Sequence, residues 1–199
     1  MDGLIAYFGY GSLVNRKTLT ENHQGLYPAH LSGWRRHWQS RGDDIPPGVA
    51  LLSVHEAPGT TISGMLVVDD RSVLPDLDLR EKRYDRVRIS RESLGFGTRR
   101  PSDLPEEIYV YVGHPPPVNA GETRLLQSYL DTVLAGFLAE HGEAGLENFI
   151  QTTQGFERAM ICDREKPRYG RAVPIDADMA GFFDGLLRNA GVRFERPEA

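Results

Sequence analysis

Two stretches of the chain carry residue types that can do chemistry. The first is Tyr10-Gly11-Ser12-Leu13, which follows the apolar, aromatic run Ile5-Ala6-Tyr7-Phe8-Gly9. That run reads as a buried strand, and Leu13 to Leu19 then reads as a short helix. The two glycines permit positive φ and let another molecule come close to the backbone. Successive backbone N–H groups at such a turn form a cradle for an anion or a polarised carbonyl. The plainer alternative is a tight turn with glycines for packing.

The second stretch is Leu77-Asp78-Leu79-Arg80-Glu81-Lys82-Arg83-Tyr84. On a helix over Ser72–Tyr84, Glu81 shares a face with Leu74 and Leu77. A carboxylate on a buried face is costly unless it is paired or protonated, so Glu81 is the candidate acid or base. The alternative is a solvated charged face with Asp78–Lys82 pairs.

Three familiar glycine motifs do not fit. A dinucleotide fingerprint needs glycine at Val14, and a P-loop needs a Gly-Lys-Ser/Thr ending. A nucleophile elbow around Ser12 needs glycines where Tyr10 and Val14 stand. No His/Asp pair has triad-like context, which disfavours a serine hydrolase working through Ser12. The six histidines are scattered without metal-ligand spacing, so neither a metal nor an organic cofactor is expected.

Composition narrows the class. A chain of 199 residues suits one domain with a core that needs no staples. A net charge of −5 with both signs interspersed argues against nucleic acid as partner. The single cysteine, Cys162, excludes an internal disulfide framework and fits a reducing compartment. No long apolar run, signal peptide or lipidation motif is present, so no membrane role and a cytoplasmic location are expected.

The elements that must position these residues come next. Strands are expected over Ala29–Ser40, with Gly33 as a bulge, and over Val49–Val54 and Ile62–Val68, the last two as a hairpin turning at Ala57–Thr60. The helix over Ser72–Tyr84 has Pro75 in its first turn, with Asp69, Asp70 or Ser72 as cap. Strands over Tyr84–Ser90 and Ile108–Val112 follow, with loops over 43–48 and 95–105. Pro115-Pro116-Pro117 precedes the helical half. From Glu122 to His141 the residues Leu125, Leu126, Tyr129, Leu130, Val133, Leu134, Phe137 and Leu138 form a wide apolar helical stripe that ends at Gly142. A short helix over Glu143–Thr153, a basic loop over Met160–Asp176 and a last helix over Ala177–Asn189 complete the chain. Strands in the first half and helices in the second predict an α+β fold: a small mixed-strand β-barrel or strongly curved sheet flanked by helices.

Several segments together resemble the γ-glutamylcyclotransferase-like superfamily. Tyr10-Gly11-Ser12-Leu13 is similar to its Tyr-Gly-Ser-Asn/Leu signature, and Leu31-Ser32-Gly33-Trp34-Arg35 to its next strand. Gly64-Met65-Leu66 is similar to its Gly-x-Leu strand. Leu77-Asp78-x-x-Glu81-x-x-Tyr84 resembles the segment bearing its catalytic glutamate, and Tyr129-Leu130-Asp131 with Leu134 and Gly136 a late helix. The likeness runs in order over a core of 4–142, leaving 143–199 as a C-terminal extension. Leu13 replaces the asparagine of the γ-glutamyl-amino-acid enzymes and is closer to the glutathione-specific branch. Lys82 replaces a glycine that often follows the glutamate. The Arg168-Tyr169-Gly170-Arg171 segment has no counterpart and no assigned role.

The resemblance implies a cofactor-independent enzyme. It would cyclise a γ-glutamyl compound to 5-oxoproline and release an amine, an amino acid or Cys-Gly. Glu81 would be the base and then the acid. Gly11, Ser12 and Leu13 would offer N–H groups to the substrate, and Tyr10 and Tyr84 would line the pocket or simply pack in the core. The expected partner is a small γ-glutamyl molecule bound by a monomer or homodimer. The alternative is a non-catalytic small-molecule binding or regulatory protein of the same fold.

Overall fold

The structure, a computed structural model, describes residues 3–19, 22–40, 48–116 and 122–196. The expected loop at 43–47 and Pro117 lie outside the described residues.

Strand β1 (Leu4–Gly9) is buried at five of its six positions, as an apolar strand covered on both faces must be. The long strands β2 (Gly25–Ser40) and β3 (Ala50–Asp70) pair antiparallel along most of their length. β4 (Tyr84–Arg88), β5 (Leu94–Phe96) and β6 (Ile108–Gly113) complete a mixed sheet in the order β4-β6-β1-β3-β2-β5. β1 runs antiparallel to β3 and parallel to β6. In the described residues the sheet ends at β4 and β5 without closing, so it is an open sheet rather than a barrel. Gly33, with φ of +83°, sits where the β2–β3 register shifts between Ser32 and Trp34, the expected bulge.

The hairpin expected within 49–68 is not formed. β3 runs through Pro58-Gly59 as one strand, and Ala57–Thr60 is the part of it opposite the bulge. The β2 ribbon supplies the pairing that a local turn would otherwise have supplied. The helix expected over Ser72–Tyr84 is shorter: a 3-10 turn at Arg71–Val73 leads into α1 (Leu74–Arg80). Asp70 caps the 3-10 turn through Ser72 N–H at 2.8 Å, and Pro75 lies in the first turn of α1. α1 stops because Tyr84 is already paired with Gly113 in the sheet.

The helix expected from Glu122 starts later, at Gln127, because β7 (Leu125–Leu126) forms there first, in register with Met160 and Ile161. α2 (Gln127–Gln151) is then interrupted at Gly142, where φ is +64°. The break falls where the glycine stop was expected, and the short helix beyond it is the second arm of the same element. β8 (Thr153–Gln154) pairs with β2, and β9 (Ala159–Ile161) lies between β7 and β10 (Arg193–Glu195) in a small parallel sheet. α3 (Ala177–Asn189) has the predicted limits and is capped by Asp176. Phe149, Phe183 and Leu187 join the same buried cluster as β1. No helix among the described residues is long and apolar enough to cross a membrane.

Candidate active site

The turn after β1 is clamped from three sides. A first 3-10 turn, Ser12–Val14, is followed by a second, Arg16–Thr18, instead of the single helix expected. Asn15 caps the second turn and donates from Nδ2 to Thr132 O in α2 at 2.9 Å. Gly136 of α2 lets that backbone come close, since a Cβ there would sit 2.6 Å from Asn15 N. Gly64 of β3 does the same on the other side, where a Cβ would meet Gly9 O at 2.4 Å. The glycines at 64 and 136 therefore serve approach, and both press on the turn.

The third clamp is Arg36, which is fully buried. Its Nε donates to Tyr10 O at 3.0 Å, Nη1 to Thr152 Oγ1 at 2.7 Å and Nη2 to Ser63 O. The guanidinium also lies 5.1 Å from the ring centres of both Phe137 and Phe149. Burial pushes its pKa down to about 9, which leaves it charged at neutral pH. The charge is thus held by oxygen acceptors and aromatic faces.

Gly11 does not use the positive φ expected of it: its φ is −133°. The reason for glycine is again approach, because a Cβ would stand 2.7 Å from the Tyr129 hydroxyl and 3.2 Å from Leu52 Cδ2. The N–H groups of Val14 and Asn15 turn back to Gly11 O and Ser12 O. The turn residues Gly11, Ser12 and Leu13 line a cavity of about 210 Å³.

Tyr10, Glu81 and Tyr84 line the same cavity, so all six sequence-derived candidates meet in one place. Glu81 is not on the helix face as expected. It is the residue that ends α1, with its N–H still bonded to Leu77 O at 2.9 Å. Its side chain is 17% exposed and lies 3.1 Å from Arg80 Nε. Arg80 in turn donates to Thr18 O at 3.1 Å, tying the end of α1 to the turn region. The Tyr10 hydroxyl donates to Tyr111 O at 2.6 Å and the Tyr84 hydroxyl to Leu52 O at 3.0 Å. Both tyrosines thus line the cavity with their protons committed to backbone carbonyls. The described lining residues include no histidine to serve Ser12 as a base.

Tyr129 is a site residue that the sequence did not single out, because its spacing on α2 reads as part of the apolar stripe. The residue as a whole is half-buried, but its hydroxyl is enclosed, and desolvation raises its pKa well above the usual tyrosine value. The nearby Ser12 N–H, which favours the phenolate, offsets this only in part. Burial likewise raises Tyr10. Both hydroxyls therefore stay protonated over the physiological range. Tyr169 and Arg171, from the basic loop, also line the cavity.

No family model matches the sequence, and no curated protein does. Solved structures do. A gamma-glutamyl cyclotransferase superposes with a TM-score of 0.54 at 12% identity, over 92% of this chain and 99% of that one. The human uncharacterized protein loc79017 gives the same TM-score, 0.54, also at 12% identity. YkqA from Bacillus subtilis gives 0.51 at 18% identity, over 76% of this chain and 56% of its own. The fold is γ-glutamylcyclotransferase-like, as the ordered motifs implied. At these identities the likeness is one of fold, and function rests on the site.

Proposed function

We propose that the chain is a γ-glutamylcyclotransferase-type enzyme, which cyclises a γ-glutamyl compound to 5-oxoproline and releases the amine. The observation that carries this reading is the convergence of one carboxylate, Glu81, and the Tyr10–Leu13 backbone turn on a single cavity. The substrate supplies its own nucleophile, the α-amine, so the protein has three tasks. It holds the bent conformer in which the amine reaches the γ-carbonyl, an effect that can be large. It stabilises the charge that develops on the carbonyl oxygen, a task suited to the backbone N–H groups of the turn, with the protonated Tyr129 hydroxyl beside them. It takes up the protons that the α-ammonium loses, two in all on becoming the lactam N–H. One returns to the leaving nitrogen as the C–N bond breaks and the other passes to solvent or to the released amine, a task for Glu81 as base and then acid. The test is incubation with a panel of γ-glutamyl compounds and detection of 5-oxoproline by mass spectrometry. No product from any of them would refute the reading.

A second reading draws on the Arg80–Glu81 contact, which is what a purely structural ion pair would show. A binding or regulatory protein needs the cavity and not the base. Such a protein would bind γ-glutamyl compounds and return them unchanged.

The two turn residues separate a backbone cradle from a serine nucleophile. Ser12→Ala keeps the N–H and should retain turnover to within about 1–2 kcal/mol of barrier. Gly11→Val should be far worse, because its side chain displaces the Tyr129 hydroxyl from its place 2.7 Å from the Cβ position. Steady-state rates with folded proteins check both. Complete loss in a folded Ser12→Ala protein, or a covalent glutamyl adduct at Ser12, would replace the cradle with a nucleophile.

A further inference from the structure

The cavity carries more positive charge than a γ-glutamyl group requires. Arg80, Lys82, Arg83 and Arg171 line it, against one carboxylate, Glu81, which Arg80 already contacts. A γ-glutamyl group brings one carboxylate and one ammonium, so a single cation satisfies it. Among the described residues, the side chains of Lys82 and Arg171 form no ion pair or hydrogen bond. They reach the cavity from different connections. Lys82 comes from the link between α1 and β4, and Arg171 from the loop between β9 and α3.

That loop is a fixed wall. The buried Asp163 carboxylate accepts from Ser128 N at 2.8 Å, Ser128 Oγ at 2.7 Å and Arg168 N at 2.9 Å. Ser128 Oγ accepts from Tyr169 N at 3.2 Å, and Thr132 Oγ1 from Val173 N at 3.1 Å. Arg164 binds Asp131 through two hydrogen bonds and Asp184 through a third, which joins the loop to α2 and α3. Tyr169 then meets Tyr129 edge-on, with ring centres 5.0 Å apart. The loop thus continues the wall from the Tyr129 side of the turn out to Arg171.

We infer that Arg171, aided by Lys82, selects substrates whose leaving amine carries a carboxylate, that is, γ-glutamyl amino acids or peptides over γ-glutamylamines. This rests on the proposed reaction for its substrate frame and on the cavity's charge for its content. A carboxylate near the exposed Arg171 guanidinium gains up to about 1 kcal/mol, about fivefold in affinity, and the exposed Lys82 ammonium adds to it.

The test compares γ-glutamylalanine with γ-glutamylethylamine, which differ by that one carboxylate. The parent protein should favour γ-glutamylalanine by about five- to tenfold in kcat/KM, through KM rather than kcat. Arg171→Gln should collapse the ratio, Arg171→Lys should restore most of it, and added salt should shrink it. A parent protein indifferent to the carboxylate, or a preference that survives Arg171→Gln, overturns the inference and leaves the cyclisation standing. If neither compound is cyclised, calorimetric titration with the same pair decides. An Arg171-dependent preference in binding sustains the inference, and equal or undetectable binding overturns it; the panel of γ-glutamyl compounds decides the cyclisation separately.

Discussion

A Glu81→Gln protein should fold as the parent does and release 5-oxoproline about 10²–10⁴-fold more slowly, or about 3–5 kcal/mol of added barrier. The substitution keeps the shape of the side chain, and its amide oxygen can still accept from Arg80. What is lost is the ability to take a proton from the α-ammonium and pass one to the leaving amine. The nearby tyrosines cannot substitute as base, since the hydroxyls of Tyr10 and Tyr84 donate to Tyr111 O and Leu52 O and burial holds the proton on Tyr129. Binding should suffer much less, so the loss belongs in kcat. Parent-rate product from the Gln variant, in protein free of wild-type contamination, would remove Glu81 from the reaction.

Arg36→Met should cost about 3–5 kcal/mol of folding stability, and since each kcal/mol lowers Tm by about 2–4 °C at this chain length, the midpoint should fall by about 6–20 °C. Two opposing effects meet here. Burial of a cation is costly, and an apolar replacement removes that cost. Removing only the donor, however, strands Tyr10 O and Ser63 O in the interior, each at about 1–3 kcal/mol, and empties part of the space between Phe137 and Phe149. The stranded acceptors outweigh the relief, because among the described residues no other side chain is seen to donate to Tyr10 O or Ser63 O. The folded fraction should also lose turnover, since Arg36 holds the carbonyl that begins the turn. A melting point within a degree or two of the parent would show that the site relaxes freely and that Arg36 is no clamp.

The residues singled out from the sequence meet at one cavity, and their signals are local. An apolar strand that ends at a glycine turn needs only neighbours in the chain to be recognised, and β1 with its turn lies where expected. The same holds for the α2 stripe, its break at Gly142, the limits of α3 and the bulge at Gly33. The misreadings arise where distant pairing overrides local preference. Pro58-Gly59 looks like a turn until β2 is laid against it, and residues 82–84 look helical until Tyr84 joins β6 through Gly113.

The same division runs through the site. Sequence by itself singled out the turn at Tyr10–Leu13 and the carboxylate at Glu81 as candidate groups, since each shows its character within a few residues. Only the tertiary structure decided that they share one cavity, and which side chains complete it. Alternation puts Arg36 on the face of Trp34 and Trp38 without revealing the acceptors that hold its charge, and Tyr129 keeps the spacing of a core residue. Tyr169 and Arg171 reach the site only because Asp163 fastens their loop to Ser128, a residue 35 positions away. Each of these roles depends on partners far along the chain, and periodicity within one segment carries no record of what another segment will bring against it.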